Sequence, residues 1–195
     1  MCNTLFVPLI SLLFVFTTAA LESPIPGYGV FEPRWQVKAF PDGELVPLNG
    51  TIEQVVHELR RINPSFDEHF GSNESADGDA VEKRREKVWF EKVICDNFRK
   101  TDNNEVRNAI AHLERVEGKP ENDGGKERCG RVSCGYDVSV WWCNDAAGAK
   151  TLDSFQDIAD GIWTLAAMCN KHRSGWSGQA FHEMNWNVVV KWEMC

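Results

Sequence analysis

His182, in the segment Phe181-His182-Glu183, is the strongest candidate among the histidines for a general acid or base. A small secreted hydrolase of ribonuclease type could hold its general acid and base on such a strand. Neighbouring strand residues point to opposite faces, so Glu183 and His182 cannot address one substrate atom, although Glu193 or Asp137 could reach His182 across a sheet. The sequence has no Gly-x-Ser-x-Gly, His-Glu-x-x-His or glycine-rich phosphate-binding motif. We therefore expect no catalytic residue, no cofactor and no metal ion.

Cysteines supply a second kind of chemistry. Of the seven present, Cys2 lies in an N-terminal export signal, and six remain after it: Cys95, Cys129, Cys134, Cys143, Cys169 and Cys195. An even number in an oxidising compartment predicts three disulfides, whose fifteen possible pairings the sequence leaves open. If residues 134–143 form one extended strand, its ends lie about 30 Å apart and the two sulfurs lie on opposite faces, so Cys134 and Cys143 should not bond to each other.

Eight tryptophans are an unusual count for 195 residues. Because indole offers a large rigid face, an exposed subset could bind sugar rings or a protein partner. Trp141 and Trp142 are consecutive on a predicted strand, so their side chains must point to opposite faces of the sheet. Trp176 lies in a Gly/Ser-rich loop. We expect these three to be the best candidates for an exposed aromatic contact, with packing beneath the arm or a loop as the alternative.

The N-terminus has the features of an export signal. Its apolar run, Leu5–Phe16, is too short to cross a bilayer, which takes about 20 residues, and it leads to small residues at 17–20 that suit a signal peptidase. We expect residues 1–20 to be removed and the product to be secreted without a membrane span. The sequons at Asn49 and Asn73 would be glycosylated in the same compartment.

A cysteine-free arm, residues 21–84, precedes the cysteine-bearing core at 85–195. The arm contains one predicted helix, which begins at a capping box of Thr51 and Gln54 and ends at Asn63-Pro64. Lys83 and Arg84 form a dibasic pair that a kexin-type protease could cut. The arm is therefore either a propeptide or a permanent layer of the fold.

In the core, the spacing of apolar residues predicts six secondary-structure elements in the order β-α-β-α-β-β. The strands are predicted at 87–95, 131–143, 178–181 and 186–194, and the helices at 102–116 and 154–169. Helices that bury one apolar stripe against a mainly antiparallel sheet form a two-layer α/β sandwich of the α+β class. The arm helix could complete the helical layer. Three disulfides would supply a large part of the stability of so small a core.

Several short segments are similar to a group of small secreted cysteine-rich proteins of filamentous fungi: Cys134–Asp137, Trp142–Asp145, Ile158–Asp160, Ser177–Phe181 and Asn185–Val190, with Phe40–Gly43 and Leu48–Thr51 in the arm. The resemblance implies a candidate effector or toxin-like protein that acts on a host or a competitor. The βα layering and the dibasic site also resemble fungal killer-toxin-like proteins at the level of the fold.

Charge narrows the choice of partner. A net charge of −8 would repel a phosphate backbone, so we expect no nucleic-acid partner. The interpretation we favour is a secreted, non-catalytic protein that binds a host or competitor target. Two alternatives stay open: a binder of carbohydrate or cell-wall glycan that uses exposed tryptophan, and a small ribonuclease-like hydrolase.

Overall fold

The computed structural model describes residues 21–70, 87–101, 103–122, 125–171 and 175–195. The arm contains β1 (Gly29–Phe31), β2 (Arg34–Lys38), β3 (Leu45–Asn49), α1 (Ile52–Ile62) and α2 (Phe66–Phe70). The cysteine-bearing part contains β4 (Lys92–Cys95), α3 (Asn103–Arg115), β5 (Gly118–Asn122), β6 (Arg128–Gly135), β7 (Val138–Asn144), β8 (Lys150–Thr151), α4 (Gln156–Cys169), β9 (Gly178–His182) and β10 (Trp186–Trp192). Helices combined with mainly antiparallel sheets confirm the α+β class. The predicted core order β-α-β-α-β-β is wrong, because the core also contains β5 and β8 and has two strands, β6 and β7, where one was expected.

The larger sheet has six strands in the order β1-β6-β7-β10-β9-β4. β1 pairs with β6 in parallel, and all other neighbours in this sheet are antiparallel. One face packs against α4, which contacts β4, β9 and β10. The other face carries a smaller apolar cluster, in which Trp141 and Val189 surround Cys129 and Cys143. The sheet is therefore buried on both sides along its central strands.

The described part of the arm shares the main core. We expected one helix there, and α1 is that helix, preceded by the predicted cap residue Thr51, whose N–H donates to Gln54 Oε1 at 2.8 Å. The short second helix of the arm, α2, was not predicted. The arm also supplies β1 to the larger sheet, and its β2 pairs with β5 in a four-stranded sheet of order β3-β2-β5-β8. Trp35 of the arm is fully buried and stacks on Phe155 at 4.9 Å. Sequence periodicity missed these strands because they are short.

The prediction of one strand at 131–143 was wrong. β6 and β7 form a hairpin that turns at Tyr136 and Asp137, whose φ angles are 48° and 62°. Positive φ at both turn residues is the type I′ geometry that matches the twist of a hairpin. Tyr136 continued the apolar alternation of the sequence and so concealed the turn, but its side chain is 82% exposed.

Three disulfides join the six cysteines as Cys95–Cys169, Cys129–Cys143 and Cys134–Cys195. Cys134 and Cys143 are not bonded to each other, as predicted, but the reason is the hairpin and not the length of one strand. Cys129 lies directly opposite Cys143 in the β6–β7 register, and Cys134 lies opposite Ser139. The strand predicted at 87–95 is also shorter than expected, since only Lys92–Cys95 pairs with β9.

Candidate functional site

An aromatic groove of about 460 Å³ lies at the β4 edge of the larger sheet. One wall is formed by residues 87–91 and Val93, and the other is the exposed side of α4 at Trp163, Thr164, Ala167 and Met168. Three large apolar side chains on these walls face solvent: Trp89 is 81% exposed, Met168 50% and Trp163 41%. We call this site, with the residues just named, the aromatic groove.

The chain is fixed to α4 on one side of Trp89 and to β10 on the other. The Val88 N–H donates to Asp160 Oδ2 at 2.9 Å. Phe90 is buried and meets the Trp186 ring edge to face at 5.2 Å. Trp89 lies between these two anchored residues. Side chains alternate in direction along an extended chain, so the indole of Trp89 is held outwards while Phe90 is held inwards.

Gly161 permits this close approach of Phe90 to α4. A Cβ at position 161 would lie 2.9 Å from Phe90 Cζ and 2.7 Å from Val188 Cγ2. Both atoms belong to buried side chains, so any larger residue there would displace the Phe90 ring from its place. The small residue on α4 therefore helps to set the position of Trp89.

The second wall is fixed by contacts from two directions. The Trp163 Nε1–H donates to Glu114 Oε1 on α3 at 2.9 Å, which orients the ring over the groove. At the end of α4, the Cys95–Cys169 disulfide joins this wall covalently to β4, the strand that continues the first wall. The groove is thus held by a carboxylate, a buried ring and a disulfide.

The described walls of the groove are mainly apolar. The titratable side chains on its walls are Lys87 and Glu91, and the Thr164 hydroxyl is already engaged because it donates to Asp160 O at 2.8 Å. Exposed tryptophan and methionine around a concave apolar surface are typical of protein-binding hot spots. The chemistry available is burial of an apolar group of a partner.

His182 is not next to either of the carboxylates proposed to reach it across the sheet. It lies opposite Trp186 at the start of β10, whereas Glu193 follows the far end of that strand and binds Trp141 Nε1 at 2.8 Å. Seven residues of strand span roughly 23 Å. The Glu193 N–H donates to the carbonyl of Asp137, so Asp137 lies at that distant end too. Pairing of His182 with Glu193 or Asp137 is therefore wrong.

The surroundings of His182 are those of a packed ring. It stacks on Trp186 at 4.8 Å, and its Nδ1 accepts the Met184 N–H at 3.1 Å. Burial lowers the pKa of His182 below its ordinary value. The ring also lines a small cavity of about 310 Å³ with Asp157, whose carboxylate accepts the N–H groups of Asp153 and Ser154 at the start of α4. These two backbone contacts, just before α4, engage that carboxylate.

The expectation that Trp141, Trp142 and Trp176 form an exposed contact was wrong, because all three are fully buried. Trp142 lies in the main core and meets Phe31 of the arm edge to face at 6.0 Å, while Trp141 lies in the cluster on the opposite face of the sheet. The two rings do lie on opposite faces of the sheet, as predicted, but other side chains cover both faces. Trp176 is buried in the main core, where its backbone pairs with Thr101.

The exposed indoles belong to Trp89 and Trp163, and neither was among the predicted contact residues. One signal could have found Trp163, since it falls outside the apolar stripe predicted for the helix at 154–169. No comparable signal marked Trp89, because position 89 was assigned to a strand.

The remaining predicted sites divide by where they lie. Asn49 is exposed at the end of β3, where its sequon is accessible. Residues 1–20, Asn73, Lys83 and Arg84 lie outside the described residues. The predictions of signal cleavage, of a second glycan and of dibasic processing therefore stay predictions.

No family model matches the chain, and no curated protein or solved structure matches it either. Within the described ranges, none of the helices combines the length and the apolar character that a membrane crossing requires. In those same ranges, no group of three or more His, Cys, Asp or Glu side chains could hold a metal ion.

Proposed function

We propose that this chain is a secreted, non-catalytic binding protein of the fungal effector or toxin-like kind, and that it docks the aromatic groove onto an apolar side chain of a target protein in a host or competitor. The observation that carries the proposal is the rigid presentation of Trp89, 81% exposed, beside a concave apolar surface.

The energetics favour a binding role for Trp89. Covering most of one indole removes about 150 Å² from water, which is worth roughly 4 kcal/mol before the costs of association. Because Val88 and Phe90 already hold the wall in place, little further backbone ordering is needed on binding. A single docked side chain can therefore supply a large share of the affinity.

An apolar protein side chain fits the groove better than a sugar does. Sugar rings need several hydrogen-bonding groups around an aromatic platform, and the side chains on these walls offer mainly the ammonium of Lys87 and the carboxylate of Glu91. The net charge of −8 disfavours a nucleic acid. A protein target is therefore the occupant that we favour.

Three disulfides support an oxidising, extracellular location, together with the apolar run and small residues at the N-terminus. The contacts of α4 with the larger sheet support the two-layer arrangement expected for the core. The accessible sequon at Asn49 supports a glycoprotein.

Photo-crosslinking tests the proposal directly. A benzophenone amino acid placed at position 89 should crosslink to a target protein in host or competitor extracts, and the same group at the equally exposed position 136 should not. The purified target should then bind the wild-type chain and the Tyr136→Ala variant with equal affinity, and the Trp89→Ala variant at least tenfold more weakly. Equal binding by all three proteins would refute the role of the groove.

Two further measurements address the alternative functions. A shift of tryptophan fluorescence on titration with chitin or glucan fragments, lost in Trp89→Ala, would favour a glycan partner instead. RNA degradation that is lost in His182→Ala would favour the hydrolase.

A further inference from the structure

The strand that continues the first wall of the aromatic groove is also an edge of the larger sheet. β4 pairs with β9 on one side, and among the described residues no strand pairs with its other side. The Asp96 N–H donates to Ser177 O, so alternation along the strand turns the backbone groups of Val93 and Cys95 away from β9. These groups are able to pair with an added strand.

The side chains of β4 divide between two faces in a way that defines what could be added. Val93 faces the aromatic groove, and Cys95 on the same face is bonded to Cys169 of α4. Lys92 lies on the opposite face, where its ammonium group is 5.2 Å from the centre of the Phe181 ring. In the described part of the chain Lys92 has no carboxylate partner. An added strand would meet an apolar groove on one face and a cation on the other.

We infer that the target segment binds as an added antiparallel β-strand along β4, with a large apolar side chain in the aromatic groove and a carboxylate facing Lys92 from the adjacent position. The inference rests on the proposed function and specifies its partner as an extended, strand-forming peptide segment. Backbone hydrogen bonds to Val93 and Cys95 would supply affinity, and the two faces would supply specificity.

The position of the groove favours a strand over a helix as the occupant. The groove follows the chain that leads into β4, so a segment paired with β4 places every second side chain along it. A docked helix would leave the outward backbone groups of Val93 and Cys95 without partners beneath it, at a cost in desolvation. Lys92 is a charge of the kind that keeps an edge from pairing with arbitrary strands.

Peptide selection with backbone modification tests this mode of binding. Random twelve-residue peptides displayed on phage would be selected against the full, disulfide-bonded chain, and the best binders synthesised. We expect them to alternate a large apolar residue with an acidic one, and to lose at least about tenfold in affinity for Trp89→Ala and for Lys92→Glu but not for Tyr136→Ala. N-methylation at alternate peptide positions should abolish binding, while N-methylation at the positions between should not.

The outcomes separate the two proposals. Peptides that need Trp89 but tolerate N-methylation at every position would overturn strand addition and leave the proposed function standing. Peptides that bind Trp89→Ala as well as the wild type would overturn both. Sedimentation showing a dimer that Trp89→Ala converts to a monomer would also overturn the inference, because the occupant would then be a second copy of the chain.

Discussion

Replacing Trp35 with alanine tests whether the arm and the disulfide-bonded part fold as one unit. Trp35 belongs to the arm, is fully buried, and stacks at 4.9 Å and 21° on Phe155, which lies in the cysteine-bearing part. Its Nε1–H donates to Gly50 O at 2.7 Å. Truncation of a buried tryptophan costs about 3–5 kcal/mol, and the buried carbonyl of Gly50 loses its partner in addition. We expect a loss of about 4 kcal/mol or more.

Urea unfolding without reductant, followed by far-ultraviolet circular dichroism, measures this loss. With a slope of about 2 kcal/mol per molar urea, the midpoint for Trp35→Ala should fall by about 2 M. The matched control is Trp89→Ala, which removes an indole that is 81% exposed and should stay within about 0.5 kcal/mol of the wild type. If the two variants unfold at the same midpoint, the arm is not part of the cooperative core.

Three further predictions concern the same fold. Loss of the Cys95–Cys169 disulfide, whose cysteines are 74 residues apart, should lower the free energy of unfolding by about 4 kcal/mol. Loss of Cys129–Cys143, with a separation of 14 residues, should lower it by about 3 kcal/mol. Urea unfolding of the paired Cys→Ala variants measures both losses, and a larger loss for the shorter loop would contradict the loop-length reasoning. Burial lowers the pKa of both His112 and His182, so the unfolded chain takes up protons first and stability should fall as the pH drops below about 6.5. A urea midpoint that rises as the pH is lowered from about 7.5 to 5.5 would disprove the role of these histidines. So would a midpoint that still falls over this range after both histidines are replaced by glutamine. Finally, cleavage at Lys83-Arg84 should leave the arm bound, because β1 and β2 pair with strands of the rest of the chain. The two pieces should co-elute on native gel filtration but separate in denaturant without reductant, because no disulfide joins them. Separation of the two pieces under native conditions would contradict this prediction.

Local patterns predicted three of the four described helices, and missed only the short α2. The capping box at Thr51 and Gln54 marks the start of α1, and its apolar stripe is buried at Ile52, Val55, Val56 and Leu59. The stripes of α3 and α4 were equally readable, because a helix repeats its environment every few residues along the chain. Strand boundaries were predicted less well. The turn at Tyr136-Asp137 was missed because a tyrosine stands where such turns ordinarily have asparagine or glycine.

The candidate site was missed for a related reason. Which of two apolar rings is covered depends on what packs over it, and that is decided by residues far away in the sequence. Trp142 is buried because Phe31 of the arm reaches it, and Trp89 is exposed because Asp160 and Phe90 hold the chain on either side of it. No pattern within a few residues of either tryptophan carries this information.

By itself, the order of residues determined the three longer helices, the count of bonded cysteines and the α+β class, since each follows from periodicity or chemistry within a short window. The pairing of the cysteines, the sharing of one core by the arm and the rest, and the choice of exposed indoles were decided only when the chain closed on itself. Those properties depend on contacts between residues as far apart as Trp35 and Phe155, which meet at 4.9 Å in the fold, and a local pattern contains no record of such distances.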